Sequence, residues 1–153
     1  MKVGQVVKNK LAKTQLRFST SGAAGVGSDT SNTAFIFDTA ERNVGKDVTY
    51  TTSPTLGDSF TINADGVYSV QANLAVNAVG SPFGISIDGV ASQSIAEQTS
   101  QTLAFCVATV AANVNLSMGA TVWLRTGQVV RAQTSVSGTG TTSRIYLIIE
   151  RLL

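Results

Sequence analysis

The first candidates for chemistry in this sequence are carboxylates, because the chain contains no histidine. Asp58, Asp65, Asp88 and Glu97 are available for the pair of acids that a glycosidase uses. The lack of histidine removes the usual general base, the usual metal ligand and every Ser-His-Asp arrangement. Asp65 and Asp88 stand in turn sequences, where aspartate is expected for backbone reasons. The sequence therefore predicts a protein that is not an enzyme.

Two further motifs have the residue types of ligand sites but not their patterns. Residues 22–27 are rich in glycine but lack the Gly-Lys-Ser/Thr ending of a phosphate-binding loop. Asp88-Gly89 is not followed by the alternating Asp/Asn series of a calcium loop. The single cysteine, Cys106, lies in an apolar stretch and is expected to fill space in the core. We expect no cofactor and no metal ion.

The basic residues are concentrated at the amino-terminal end. Five of the 11 Lys and Arg residues precede Asp29, which is the first acidic residue. The rest of the chain holds six basic side chains against nine acidic ones, so it has no electrostatic footprint for nucleic acid. We interpret residues 1–32 as a basic arm with a Gly/Ser-rich spacer and residues 33–153 as the folded domain. The alternative is a solvated, mobile chain end without a partner.

No targeting or membrane segment is expected. Met1-Lys2 is not followed by the apolar stretch of a secretory signal, and the longest apolar run, 103–112, is too short to span a bilayer. We therefore expect a protein that has no membrane partner.

The elements that must position any functional residue are strands. In residues 67–76 the side chains alternate between apolar and polar, which is typical of a half-buried antiparallel strand. Asn63-Ala64-Asp65-Gly66 precedes this strand and is expected to close a hairpin with 59–62 through positive φ angles.

About ten strands follow from the same periodicity, which is the number typical of a sandwich or barrel. The predicted strands are 33–37, 48–51, 59–62, 67–76, 83–87, 103–112, 114–116, 121–124, 129–134 and 144–152. Turns are expected between them, one of them at Met118-Gly119. The window 95–114 is allowed one short helical turn at most. The last strand is expected to be central and buried on both faces.

Three segments resemble the tumour-necrosis-factor and complement-head jelly roll. They are Phe60-Thr61-Ile62, Gly66-Val67-Tyr68-Ser69-Val70 and Leu124-Arg125-Thr126-Gly127-Gln128-Val129-Val130, followed by an apolar closing strand. The resemblance implies an antiparallel jelly-roll sandwich of about ten strands that forms a homotrimer. Gln128 stands where the family usually has Asp in its Leu-x-x-Gly-Asp-x-Val hairpin.

The sequence is most similar to the version of this fold found in virion proteins of tailed bacteriophages. The residues that carry this resemblance are 57–62, 66–70 and the Ile87-Asp88-Gly89 hairpin. It implies a capsid decoration or cement protein, which is made in the bacterial host cytoplasm and lies on the capsid exterior with the major capsid protein as partner. The alternative is a receptor-binding head of a tail fibre or capsid fibre that recognises the host surface. We prefer decoration because a chain starting at Met1 has room only for a short arm before the head.

Two sets of residues are expected to make the contacts of such a protein. The capsid-anchoring arm would use Lys2, Val3, Val6, Val7, Lys8, Lys10, Leu11, Lys13 and Arg17. The trimer interface would use Tyr68, Val70, Trp123, Tyr146 and Ile148. The aromatic side chains are expected first as core residues: Tyr68, Phe83, Phe105, Trp123 and Tyr146. Trp123 has the interface as its alternative.

Self-association also agrees with the composition. Charged residues make up 13% of the chain, against about 25% in an ordinary soluble domain. A neutral surface is typical of subunit packing, although a monomeric β domain with a hydroxyl-rich exterior would show it as well.

Overall fold

The computed structural model describes residues 14–20, 25–28, 33–76, 82–98, 100–107, 114–135 and 142–153. These residues form twelve strands and one 3₁₀ turn, Ile95–Glu97. The strands are β1 (Gln15–Ser19), β2 (Gly25–Val26), β3 (Phe35–Ile36), β4 (Thr39–Val44), β5 (Val48–Thr51), β6 (Ser59–Ile62), β7 (Gly66–Val76), β8 (Pro82–Ile87), β9 (Thr102–Val107), β10 (Val114–Leu124), β11 (Val129–Gln133) and β12 (Thr142–Arg151).

Two five-stranded antiparallel sheets pack face to face. The front sheet has the order β10-β7-β12-β1-β4, and the back sheet has the order β5-β6-β11-β8-β9. Strands β2 and β3 form a separate short pair. The prediction of an all-β antiparallel sandwich is confirmed, and the described part of the chain has a single short helical turn within 95–114.

The core lies between the sheets and is aromatic at its centre. The ring of Phe18 lies 5.1 Å from that of Phe60 and 4.3 Å from that of Tyr50, measured between centroids. Phe83 is fully buried, as expected. Phe105 and Trp123 are 46% and 58% exposed, so the prediction that they are core residues is wrong. Both lie on edge strands, β9 and β10, where one face of the strand has no neighbouring layer.

The segment 57–76 is a crossover between the sheets and not a hairpin. Strand β6 pairs with β5 and β11 in the back sheet, whereas β7 pairs with β10 and β12 in the front sheet. The Tyr68 hydroxyl donates to the carbonyl of Ala64 at 2.7 Å and so fixes the corner. Gly66 has no positive φ; it is required because a Cβ there would meet the backbone oxygen of Leu153.

The two other predicted hairpins are not tight hairpins either: one is a crossover between the sheets and the other is a long connection. Residues 124–130 lead from β10 in the front sheet to β11 in the back sheet. In this turn Gln128 accepts a hydrogen bond from Arg125 N–H at 2.8 Å, and its amide donates to Asp88 at 3.2 Å. Asp88 has the positive φ of a hairpin turn. The chain nevertheless continues through the 3₁₀ turn before it returns as β9, which pairs with β8.

The amino-terminal boundary of the domain needs correction. Strand β1 pairs with β12 on one side and β4 on the other, so Gln15–Ser19 is part of the front sheet. Arg17 therefore belongs to a strand and not to an arm. Residues 2–13 of the predicted arm lie outside the described residues, so the arm itself stays a prediction.

Two other strand predictions also change. Met118-Gly119 is not a turn, because β10 runs without a break opposite the whole length of β7. Strand β12 is central, as expected, but within 144–151 only the inward residues Ile145, Leu147 and Ile149 are fully buried. The residues between them remain partly exposed on the outer face of the front sheet.

A buried carboxylate holds the loop between β5 and β6. Asp58 is 1% exposed and accepts hydrogen bonds from Phe37 N–H at 2.7 Å, Tyr50 O–H at 2.6 Å and Ser53 N–H at 3.2 Å. Because the three donors belong to separate segments, this one side chain joins β5, its following loop and the segment after β3. Gly57, just before it, has a φ of 71°, and a Cβ at this position would meet the backbone of Ala34.

This network predicts a loss of stability in alkali. Burial, and then the hydrogen bond to Asp58, raises the pKa of Tyr50 to about 12. The folded state therefore holds the phenol proton more tightly than the unfolded state, whose tyrosines titrate near ~10. Stability is fully present below the unfolded pKa and falls as the pH rises from there towards the folded pKa.

The measurement is the denaturant midpoint of the wild-type chain and of Tyr50→Phe at several pH values across this window. Burial also raises the pKa of Tyr68, so the wild-type midpoint falls for both tyrosines. We expect a shallower fall for Tyr50→Phe, and parallel curves for the two proteins would contradict the prediction.

Candidate functional site

The outer face of the front sheet is a regular surface that the described residues leave uncovered. Along β7 the residues Tyr68, Val70, Ala72 and Leu74 point into the core, and the residues between them point outward. The same alternation in β10 and β12 turns every second residue towards solvent. This outer face is our candidate functional site.

Strand register arranges the outward residues of β10, β7 and β12 in five cross-strand rows. From one end of the sheet to the other the rows are Trp123, Val67; Thr121, Ser69, Glu150; Gly119, Gln71, Ile148; Ser117, Asn73, Tyr146; and Asn115, Ala75, Arg144. Leu152, which follows β12, donates its N–H to the Val67 carbonyl at 2.7 Å beside the first row. In each row the residues are opposite one another, so their side chains form one continuous band across the sheet.

The two strands β7 and β10 contribute no charge to this face. Their ten outward residues are apolar, glycine, hydroxyl or amide residues, all named in the rows above. A shallow groove of about 480 Å³ runs over this neutral area between Ser69 and Thr121, and a second cavity of about 250 Å³ continues it past Asn73 towards Arg144. One end of the face is apolar, because Trp123 and Leu152 are 58% and 48% exposed.

Charged groups border the neutral area on the β1 and β4 side. The guanidinium of Arg17 lies 2.5 Å from the carboxylate of Glu41, which also accepts a hydrogen bond from the Ser19 hydroxyl at 2.7 Å. The same guanidinium lies 5.1 Å from the centroid of the Tyr146 ring. Arg144 approaches that ring at an equal distance, so two cations contact one aromatic ring.

The predicted interface residues divide between the two faces. Trp123, Tyr146 and Ile148 lie on the outer face, in three different rows. Tyr68 and Val70 are 0% exposed and pack between the sheets, so they have no surface to offer a neighbour and we correct their assignment. The outward residues of this strand are Ser69, Gln71 and Asn73.

Sequence reasoning missed the small polar residues of the face. The signal that could have found them is the alternation itself: on a strand whose apolar residues fill the core, the polar residues between them form the open surface. The neutral surface inferred from the composition was not assigned to these strand positions, although the lack of charge among them is unusual for a free surface.

The acidic residues considered for catalysis serve the backbone and do not converge. The carboxylate of Asp65 accepts from the N–H and the hydroxyl of Thr126, and these hydrogen bonds hold its pKa below the usual value. Asp88 accepts from Val129 N–H at 2.8 Å, and Glu97 closes a capping box with Ser94. Asp58 is buried in the network described above.

Metal-binding clusters and membrane-spanning helices are also absent from the described residues. No group of three or more His, Cys, Asp or Glu side chains that could hold a metal ion occurs among the residues described. In the described part of the chain, no helix has the length and apolar character needed to cross a membrane.

Comparison with solved structures supports the fold. The crystal structure of murine APRIL at pH 5.0 superposes with a TM-score of 0.57 and 16% identity, over 91% of this chain and 98% of that one. The chain has a jelly-roll fold. The globular domain of zebrafish complement 1qA protein gives a TM-score of 0.54 and 15% identity, over 92% of this chain and 97% of that one. No protein-family model and no curated protein sequence matches.

These likenesses cover the jelly roll from end to end and agree with the resemblance drawn from residues 60–62, 66–70 and 124–130. At such low identity they establish the fold alone. The role in a bacteriophage particle is not addressed by them and stays a prediction.

Proposed function

We propose that this chain is a non-enzymatic structural protein that assembles as a homotrimer through the outer face of the front sheet and decorates the exterior of a virion capsid. The observation that carries the self-association is the neutral area of that face. Identical copies can approach one another there without bringing like charges together, whereas the Arg17 and Glu41 border would resist a random approach.

The size of the face also favours self-association. Five strands at about 4.8 Å spacing and five rows at about 6.7 Å spacing cover an area of the order of 800 Å². Stable complexes bury about 800 Å² per partner. The face is therefore about the size of one such contact, and a trimer, in which each copy meets two others, would use all of it.

Attachment to a capsid is supported by the composition of residues 2–13. With Arg17 placed in β1, four cations remain in this segment: Lys2, Lys8, Lys10 and Lys13. At about 0.2–1 kcal/mol for each exposed ion pair, a single arm would gain only about 1–4 kcal/mol. Three arms on one trimer make the later contacts intramolecular and can raise avidity by about 10²–10⁴. The apolar residues Val3, Val6, Val7 and Leu11 would add contacts with the major capsid protein.

Deletion of residues 2–12 tests the arm. We expect the shortened chain to fold and to assemble as the full chain does, because the deletion stops before Thr14, whose hydroxyl bonds to Asp47 at 3.0 Å and whose carbonyl accepts from Arg151 N–H. Attachment to undecorated capsids should fall at least about a hundredfold, which is the lower end of the gain in avidity given above. The measurement is co-sedimentation with capsids, with the variant Arg42→Gln as a control that removes one exposed cation outside the arm.

Unchanged co-sedimentation of the shortened chain would reject the arm as anchor. Electron microscopy of intact particles then decides the location. Density on the tail would favour the receptor-binding head in place of the decoration protein.

A further inference from the structure

One edge of the back sheet is an apolar strand that pairs on one side only. In the part of the chain that the structure describes, β9 (Thr102–Val107) is hydrogen-bonded to β8 alone; β10 lies near it but belongs to the front sheet. None of the six residues of β9 is buried, whereas four consecutive residues of β8 are. Backbone N–H and C=O groups on the outer side of such a strand are free to pair with another strand.

The side chains of β9 do not protect this edge. The sequence Thr-Leu-Ala-Phe-Cys-Val contains no charged residue, no proline and no glycine. Phe105 and Val107 are 46% and 39% exposed, while Ala104 and Cys106 between them pack against the core. Exposed edges usually carry a lysine, a proline or an inward charge, because an uncharged apolar edge pairs readily with other strands.

The other sheet edges that the structure describes differ from β9. Strand β4 carries the exposed residues Glu41 and Arg42. Strand β5 has only four residues and directly follows Lys46 and Asp47. Strand β10 belongs to the face that the proposed trimer covers. Among the described edges, β9 is therefore the one that is uncharged and that also lies in the sheet away from the trimer contact.

We propose that β9 pairs antiparallel with β9 of a second copy across a twofold axis, so that the two back sheets become continuous. The strand is compatible with itself, because no like charges meet when two copies are paired. One register sets Phe105 of each copy opposite Val107 of the other, and aromatic pairs with β-branched residues stabilise antiparallel strands. The irregular register of β9 lies opposite Ile85 and Ser86, so Ala104–Val107 remains regular for this pairing.

Such a contact is weak in dilute solution and effective between copies that are held side by side. Six residues a side are far fewer than the about 20–30 residues a side of a stable interface. Copies fixed on one surface face each other at effective concentrations of the order of mM. Strand β9 would then join neighbouring trimers on a capsid. This role rests on the proposed function, whereas the pairing itself does not.

The experiment is sedimentation of the full chain at concentrations from about 1 μM to about 1 mM, the range in which a weak contact forms. Phe105→Lys is compared with the wild type, and Leu56→Lys is the matched control. Leu56 is 52% exposed, so the control loses a similar apolar surface and gains the same charge, but in the loop between β5 and β6. Amide hydrogen exchange of the wild type at both ends of the range shows which strands become paired.

We expect the mass of the wild type to rise at least about twofold at the upper end and to return on dilution. The β9 amides should gain protection there, and the β5 amides should not. Phe105→Lys should keep its dilute mass, because two lysines would meet across the paired edges. Leu56→Lys should associate as the wild type does.

The mass in dilute solution tests the trimer, and the rise in mass tests the pairing. A chain that is monomeric when dilute and doubles its mass through β9 would reject the trimer and support the pairing. A constant mass up to the highest concentration overturns the pairing, as does a rise that Phe105→Lys leaves unchanged. Joint protection of β5 and β9 overturns the twofold arrangement, because two different edges would then be paired. Since exchange is measured on the wild type, this result does not depend on the folding of a variant.

Discussion

The variant Asp58→Ala is expected to lose about 3 kcal/mol or more of unfolding free energy. The substitution removes the acceptor of the N–H groups of Phe37 and Ser53, and it leaves the Tyr50 hydroxyl only the Phe37 carbonyl at 3.1 Å. An unsatisfied buried donor costs about 1–3 kcal/mol. Since whole domains are stable by about 5–15 kcal/mol, this single change removes a large part of the total.

Denaturant unfolding at a fixed protein concentration measures this loss, and the thermal midpoint should fall by about 6 °C or more. The matched control is Asp65→Ala. Asp65 also accepts two hydrogen bonds, from the N–H and hydroxyl of Thr126, but these groups are exposed and water replaces the lost acceptor. We expect a much smaller loss for the control. Equal losses for the two variants would show that burial of the Asp58 network is not what stabilises the fold.

A third variant, Asp58→Asn, separates the hydrogen bonds from the shape of the side chain. Asparagine fills the same space and keeps one oxygen acceptor, but its amide nitrogen is turned towards a donor. Its stability should therefore lie between those of the wild type and Asp58→Ala.

The strands that local sequence predicts well are those with a buried face. Strands β5 (Val48–Thr51) and β6 (Ser59–Ile62) have the predicted bounds, because apolar and polar residues alternate along them. Strand β4 (Thr39–Val44) was not predicted, since all six of its residues are exposed and no periodic apolar face marks it. Strand β1 does carry Leu16 and Phe18 in alternation, but its basic residue was grouped with the lysines before it.

The connections depended on information that is not local. A turn sequence such as 63–66 is compatible with a hairpin and with a crossover between sheets, and the choice depends on which strands pair elsewhere in the chain. Met118-Gly119 resembles a turn by composition, but the 11-residue strand β7 opposite it offers a partner for every residue of β10. Pairing along this length outweighs the local preference of two residues.

The candidate site could be predicted only in part, because it also depends on strand pairing that is not local. Alternation showed that strand β7 has two different sides, and the larger apolar side was assigned to an interface by resemblance. In a two-layer sandwich the apolar side of a strand packs in the core, so Tyr68 and Val70 are buried. The side with the small polar residues then faces solvent. Strand β12 is apolar on both sides, and only its register with β7 shows that Tyr146 and Ile148 point outward.

The double variant Gln71→Glu/Thr121→Glu is expected to convert the trimer into monomers. Both residues are exposed in the single chain and lie in adjacent rows at the centre of the neutral area, so the folded chain tolerates the charges. In a trimer the same carboxylates would be buried without partners, six in each assembly, and removal of an ion from water still costs several kcal/mol after relaxation. This exceeds what an interface of standard size can offset.

Light scattering at micromolar concentration measures the result. The wild-type chain should show three times the 15.9 kDa chain mass, and the double variant should show the mass of one chain. The matched control, Thr51→Glu/Thr61→Glu, places two carboxylates on the outer face of the back sheet and should remain trimeric. A wild-type monomer would reject the trimer itself. A double variant that stays trimeric would show that the copies meet through a different surface, because six unpaired charges could not be buried in the proposed one.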